Sequence, residues 1–135
     1  MAPSDGNHEL LRIHDLHVHF PIHAGVFLRR VGEVKAVDGV SFSIRQGETV
    51  GLVGESGCGK TTTGKAVMRL VDITQGVVDF RMRSGEVVDL VPLTRNEMRP
   101  VRAEIQMIYQ DPYSSLNPRW TVGDIIAEPM TVHES

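Results

Sequence analysis

Apolar and polar residues begin to alternate at Leu10. Leu16, Val18 and Phe20 alternate with His17 and His19, the period of two that marks a half-buried strand. Leu11 and Ile13 have the opposite parity, which predicts a bulge or break near His14 and Asp15. Pro21 is expected to stop this strand. Residues 21–33 mix Gly, Arg and isolated apolar residues and read as a loop or short irregular insert. A second strand is predicted over residues 34–44, with Val37, Val40, Phe42 and Ile44 as its apolar positions. Gln46-Gly47 is a turn signal. Residues 49–53 are nearly continuously apolar, as expected of a buried parallel strand. A glycine-rich stretch, 54–59, follows. From Lys60 to about Val71, the spacing of Ala66, Val67, Leu70 and Val71 predicts a helix.

The middle of the chain has a different pattern. Residues 76–80 and 86–90, separated by Ser84-Gly85, predict an antiparallel hairpin. Thr94 with Glu97 three residues on is a capping-box pattern. The helix it opens is expected to reach about Ala103, kinked or divided by Pro100. Residues 105–109 are another apolar run, and 111–118 have loop chemistry. A helix is predicted from Val122 to Glu128, ended by Pro129. No internal repeat or low-complexity tract interrupts the pattern.

Composition narrows the class. The 135 residues carry 14 Lys plus Arg against 17 Asp plus Glu, a formal charge of −3, and 41% are hydrophobic. That balance suits a folded globular domain and lacks the strongly basic footprint of a nucleic-acid binder. One cysteine excludes an intramolecular disulfide. The first residues are polar, without the basic-then-apolar pattern of a signal peptide, and residues 1–9 are expected to be disordered. No stretch approaches the ~18 consecutive apolar residues of a membrane span. The chain reads as a cytosolic-type protein of about one domain, burying about two-thirds of its unfolded surface.

The candidate chemistry lies at Gly54-Glu55-Ser56-Gly57-Cys58-Gly59-Lys60-Thr61, which fits the phosphate-binding pattern G-x-x-x-x-G-K-[ST]. Glycines let the backbone curl so that N–H groups converge on phosphate oxygens. The following helix aims its positive end at the same anion. Lys60 would reach the β- and γ-phosphates, Thr61 would ligate Mg²⁺, and Thr62 could add a hydroxyl near the α-phosphate. The strand pattern before the loop and the helix pattern after it are the context the motif requires. The competing structural reading is a glycine-rich turn with a snorkelling lysine.

Three blocks resemble the ATP-binding subunits of ABC transporters, most closely those of oligopeptide and dipeptide importers. They are residues 36–42 (AVDGVSF), 51–61 (GLVGESGCGKT) and 105–119 (IQMIYQDPYSSLNPR). The resemblance covers about residues 10–133. It implies an α/β phosphate-loop ATPase core beside an antiparallel β subdomain, with residues 10–135 as the N-terminal part of the nucleotide-binding domain. It implies Mg-ATP binding, and hydrolysis driving import of peptides or similar solutes. The implied partners are transmembrane permease subunits and a second ATP-binding subunit, at the cytoplasmic face of the inner membrane, without insertion and without nucleic acid. Gln110 resembles the glutamine-loop residue that touches Mg²⁺ and the attacking water. Phe20 matches the aromatic that stacks on adenine, with Phe27 as competitor and a core phenylalanine as the structural alternative.

The resemblance also implies elements not found in these 135 residues: an LSGGQ-type signature, a strand ending in Asp-Glu, and a switch histidine. The chain is therefore expected to be part of a longer protein and inactive as an ATPase on its own. Two other classes remain open at this point. One is a phosphate-loop kinase or GTPase, although no Arg-rich lid or Asn-Lys-x-Asp element is present. The other is a truncated, non-catalytic nucleotide-binding module.

Lesser features read more plainly. His14, His17, His19 and His23 cluster locally, and His17 and His19 share a strand face. No nearby carboxylate or cysteine convincingly completes a metal set, so a solvated strand face is expected. Arg95, Arg99 and Arg102 read as a solvated helix face. Cys58 is either a small loop filler or a thiol activated by the helix dipole. Tyr113, Leu116 and Trp120 suit either a permease interface or packing within the domain.

Overall fold

The computed structural model describes residues 9–24, 29–111 and 116–133. Among these are β1 (Glu9–Ala24), β2 (Arg29–Arg45), α1 (Lys60–Val67), β3 (Gln75–Arg81), β4 (Val87–Asp89), α2 (Met98–Glu104) and α3 (Val122–His133). The strands form one antiparallel sheet in the order β2-β1-β3-β4.

The parity change in β1 is a bulge, as its pattern predicts. Ile13 pairs with Phe42 and Leu16 with Val40, so β1 carries one residue more than β2 between them. Asp15 takes a left-handed backbone, φ 49°, and its N–H donates to Ser41 Oγ at 2.8 Å. Asp is among the non-glycine residues that tolerate this region best. The extra residue keeps Leu11, Ile13, Leu16 and Val18 all buried on one face of the sheet. Val37 from β2, Val78 and Phe80 from β3, Ala66 and Val67 from α1, Leu90, and Met98 and Val101 from α2 complete that core.

Several boundaries differ from the sequence pattern. Pro21 does not stop β1. The strand continues to Ala24, and residues 21–24 pair with 29–33 as the far end of a long hairpin rather than an irregular insert. Pairing of β1 with β3 ends at His17–Gln75, so Pro21 lies where β1 has become an edge, and its missing N–H costs no bond to β3.

Helix α1 ends at Val67, four residues before the predicted limit. Arg69 adopts φ 51°, its N–H donates to Ala66 O, and Leu70 N–H reaches back to Lys65 O. These two bonds define a Schellman terminus, with arginine in the position usually held by glycine. Pro100 neither kinks nor divides α2. It is the third helical residue, where an N–H has no intrahelical acceptor to lose. Pro129 lies inside α3 rather than ending it, at the cost of one hydrogen bond.

The 76–80 and 86–90 hairpin is present as β3–β4, with Phe80 opposite Val88. The Thr94–Glu97 bonds are also present, but they close the turn before α2, whose N-cap is Glu97 rather than Thr94 and has no side-chain cap bond. Thr94 N–H donates to Glu97 Oε2 at 2.8 Å, and Glu97 N–H to Thr94 Oγ1 at 3.4 Å. A capping box joins Thr121 and Asp124 at the start of α3.

The largest departure concerns residues 49–53 and 105–109. Neither segment pairs with a strand among the described residues. Val53 is 89% exposed and Ile108 is 96% exposed, where a buried parallel strand was expected at 49–53. A parallel strand needs lateral neighbours to receive its N–H and C=O groups, and the sheet present here is antiparallel throughout.

Candidate functional site

The glycine-rich loop lies between the unpaired 49–53 segment and α1, and β2 braces it. Val18 pairs with Val37 and His19 with Lys35, so Ala36 bulges from the ladder without a partner on β1. The Ala36 carbonyl sits directly against the Gly59 Cα, where a β-carbon would collide with it. Gly59 is also left-handed, φ 93°, and is the N-cap of α1. Gly57 is left-handed as well, φ 83°. Both conformations are ones glycine adopts without strain.

Within the loop, Cys58 N–H donates to Glu55 O at 3.3 Å, closing a turn. The Lys60 ammonium folds back over the loop. It donates to Gly54 O and Glu55 O, both at 2.6 Å, and lies 3.5 Å from the exposed Cys58 Sγ. Thr63 anchors the first turn of α1, with its N–H at 2.8 Å and its hydroxyl at 3.0 Å from Gly59 O. No side chain caps the helix N-terminus. The uncapped first-turn N–H groups and the lysine ammonium therefore lie on one largely exposed loop. That arrangement accepts a multiply charged anion such as a polyphosphate. Thr61 is exposed at its rim and Thr62 is half-buried.

The remaining sequence candidates are less closely joined to this loop. Phe20 lies on β1 opposite Val34 and is 39% exposed, so it is not a core phenylalanine. Phe27 and Tyr113 lie outside the described residues. Gln110 is exposed at the end of the 105–109 segment, whose Met107 side chain reaches α1 beside Gly64. Among the described residues, no hydrogen bond joins Gln110 to Lys60 or Thr61. Leu116 and Trp120 are exposed. The three arginines do not form one solvated face. Arg95 and Arg99 are exposed, but Arg102 is half-buried and donates from Nη2 to Arg69 O at 3.2 Å.

The histidine pair also departs from expectation. The side chains of His17 and His19 are only 19% and 13% exposed, and carboxylates surround them. His17 lies 3.0 Å from Asp15 Oδ1 through Nε2 and 2.9 Å from Asp38 Oδ1 through Nδ1. The Asp15 hydrogen bond, outweighing desolvation and aided by Asp38, raises the His17 pKa above its ordinary 6.5. The His17 bond, then that of Lys35, holds Asp38 below its ordinary 3.8. The sequence pattern missed Asp38 because it lies 21 positions from His17, and only the cross-strand register pairs them.

Residues 37–134 match the ABC transporter family. The chain is 50% identical over 125 residues to the oligopeptide transport ATP-binding protein AppF of Bacillus subtilis, covering 92% of this chain and 36% of that protein. It is 46% identical over 134 residues to the oligopeptide transport ATP-binding protein OppF of Escherichia coli, covering 98% and 39%. It is 46% identical over 124 residues to the glutathione import ATP-binding protein GsiA of Salmonella typhimurium, covering 92% and 19%. The chain thus spans about a third of the oligopeptide relatives' length, and less of GsiA.

Proposed function

The chain belongs to the ABC transporter family, and on that premise we propose that residues 54–61 bind the phosphates of Mg-ATP. The carrying observation is Lys60, folded over the Gly54 and Glu55 carbonyls at the uncapped start of α1. The loop fits the group: its lysine, free helix start and glycine backbone offer cationic and N–H donors, and among the described residues no carboxylate is hydrogen-bonded to Lys60. Lys60 would exchange its carbonyl partners for β- and γ-phosphate oxygens. Thr61 would hold Mg²⁺ through its hydroxyl, Thr62 would approach the α-phosphate, and Glu55, Ser56, Gly57 and Cys58 would supply the curved backbone. Phe20, partly exposed, would stack on adenine, and Gln110 would enter the site as a movable Mg²⁺ and water ligand. Bound Mg²⁺ would neutralise charge on the phosphates.

In the longer protein, ATP hydrolysis would drive import of oligopeptides, dipeptides or similar solutes. Similarity to AppF and OppF over almost the whole chain supports this reading. The partners would be permease subunits and a second ATP-binding subunit, with the protein peripheral on the cytoplasmic face of the inner membrane. No helix among the described residues is long and apolar enough to cross a membrane. Residues 49–53 and 105–109 would be strands of a parallel core sheet, which the apolar content of both segments supports.

The experiment is calorimetric titration of the chain with Mg-ATP, beside Lys60→Ala. Saturable binding weakened at least about 10-fold by the substitution, with an unchanged circular dichroism spectrum, is expected. Equal binding by both chains would refute the site. Turnover by the 135 residues alone is expected to be no higher than that of Lys60→Ala.

A further inference from the structure

The face of the β1–β2 hairpin opposite the core carries a ligand set outside the nucleotide loop. His17 and His19 alternate with the buried Leu16 and Val18, so both rings project from the other face. Cross-strand pairing sets Asp38 opposite His17. One ligand atom from each of His17, His19 and Asp38 lies within 4.8 Å of the other two. Asp38 Oδ1 is 2.9 Å from His17 Nδ1 and 3.4 Å from His19 Nε2. Ligands bound tetrahedrally at metal distances are roughly 3.3 Å apart, so atoms already within 4.8 Å of one another would close by at most about 1.5 Å onto one ion.

The other ring nitrogens carry the partners that orient metal-bound imidazoles. His17 Nε2 meets Asp15 Oδ1 at 3.0 Å, and His19 Nδ1 meets Glu33 Oε1 at 3.5 Å. Gln75 Nε2 in turn donates to Asp15 Oδ2 at 3.2 Å. A carboxylate behind each ligating histidine fixes its tautomer and raises its basicity. Charge also favours a cation: Asp15, Glu33 and Asp38 are opposed by Lys35, whose Nζ is 3.3 Å from Asp38 Oδ2.

We propose that His17, His19 and Asp38 form a binding site for one divalent transition-metal ion of the zinc type. Two imidazoles and one carboxylate, with a fourth position left for water, match zinc and its neighbours better than Mg²⁺ or Ca²⁺, which prefer all-oxygen sets. The site is separate from any Mg²⁺ held with nucleotide, and stands independently of the proposed ATP binding. Asp38 lies two residues from Ala36, whose carbonyl braces Gly59. A metal there would stiffen the strand that supports the phosphate loop.

The test is titration of the untagged chain with Zn²⁺ alone and with Co²⁺ alone. One equivalent should bind, Co²⁺ should show the visible absorption of four-coordinate cobalt, and the His17 and His19 ring nitrogens should shift with Zn²⁺ in NMR spectra. Asp38→Asn and His17→Gln should weaken binding at least about 100-fold, Asp15→Asn about 10-fold, and His14→Gln not at all. Absence of saturable one-to-one binding, or unmoved His17 and His19 resonances, overturns the proposal without requiring any variant to fold. Undiminished affinity in a folded Asp38→Asn chain overturns it equally. A purely structural ion-pair network would give those results.

Discussion

The carbonyl of Ala36 presses on the Cα of Gly59, so the bulge in β2 and the phosphate loop are built against each other. Gly59 is left-handed at the same point. Gly59→Ala therefore meets both a collision and a backbone penalty of roughly 1–2 kcal/mol. A fall of several degrees in thermal midpoint is expected, with weaker Mg-ATP binding. An unchanged midpoint would show that the two segments are not in contact.

Arg69 closes α1 in a conformation that suits glycine. Its carbonyl, not its side chain, receives the bond from Arg102, and its own Nε is buried without a partner. Arg69→Gly keeps the accepted bond, relieves the strain and removes the unsatisfied atom. It should stabilise the chain by about 1 kcal/mol, read from urea unfolding. Destabilisation would mean that the arginine's packed stem matters more than its backbone.

The Thr94–Glu97 turn before α2 and the Thr121–Asp124 box of α3 both depend on ionised carboxylates. The Thr94 side-chain and backbone bonds hold Glu97 below its ordinary 4.5, and those of Thr121 hold Asp124 below 3.8. A depressed carboxylate contributes stability that is complete above its unfolded pKa and is lost as pH falls through the folded value. Helix content should therefore drop with acid below about pH 4.5, and less so in Thr94→Ala, which already lacks the hydroxyl bonds. Circular dichroism against pH measures this. Identical acid profiles for the two chains would contradict it.

Ile108 is almost wholly exposed in a segment without a strand partner among the described residues. Ile108→Asp should change the stability of this chain by no more than about 0.5 kcal/mol. Amide exchange over residues 106–109 should be fast for the same reason, with Ile105 slower because its N–H donates to Val101 O. If the segments at 49–53 and 105–109 become sheet strands in the longer protein, the same substitution there should be severely destabilising.

Much of the candidate site was legible in the sequence because it is local. The run from Gly54 to Thr61 sets its own turns, and the lysine reaches only loop atoms within six residues of itself. The β1 bulge, the β3–β4 hairpin and the Thr94–Glu97 bonds were legible for the same reason: each depends on parity, turn residues or a three-residue spacing. Pro21, Pro100 and Pro129 were misread, because the effect of a proline depends on whether its position had a hydrogen bond to lose. Pairing of the strands, not residue type, decided that at Pro21.

The sequence by itself determined the strand periods, the phosphate loop and the family pattern, all carried by near neighbours or fixed spacings. Only the tertiary structure decided three further relationships. It placed Ala36 against Gly59, brought Asp38 to the two histidines, and left residues 49–53 and 105–109 without strand partners among the described residues. Each of these depends on register and lateral pairing between distant segments. A side-chain pattern states which face of a strand is apolar, but not which strand lies beside it.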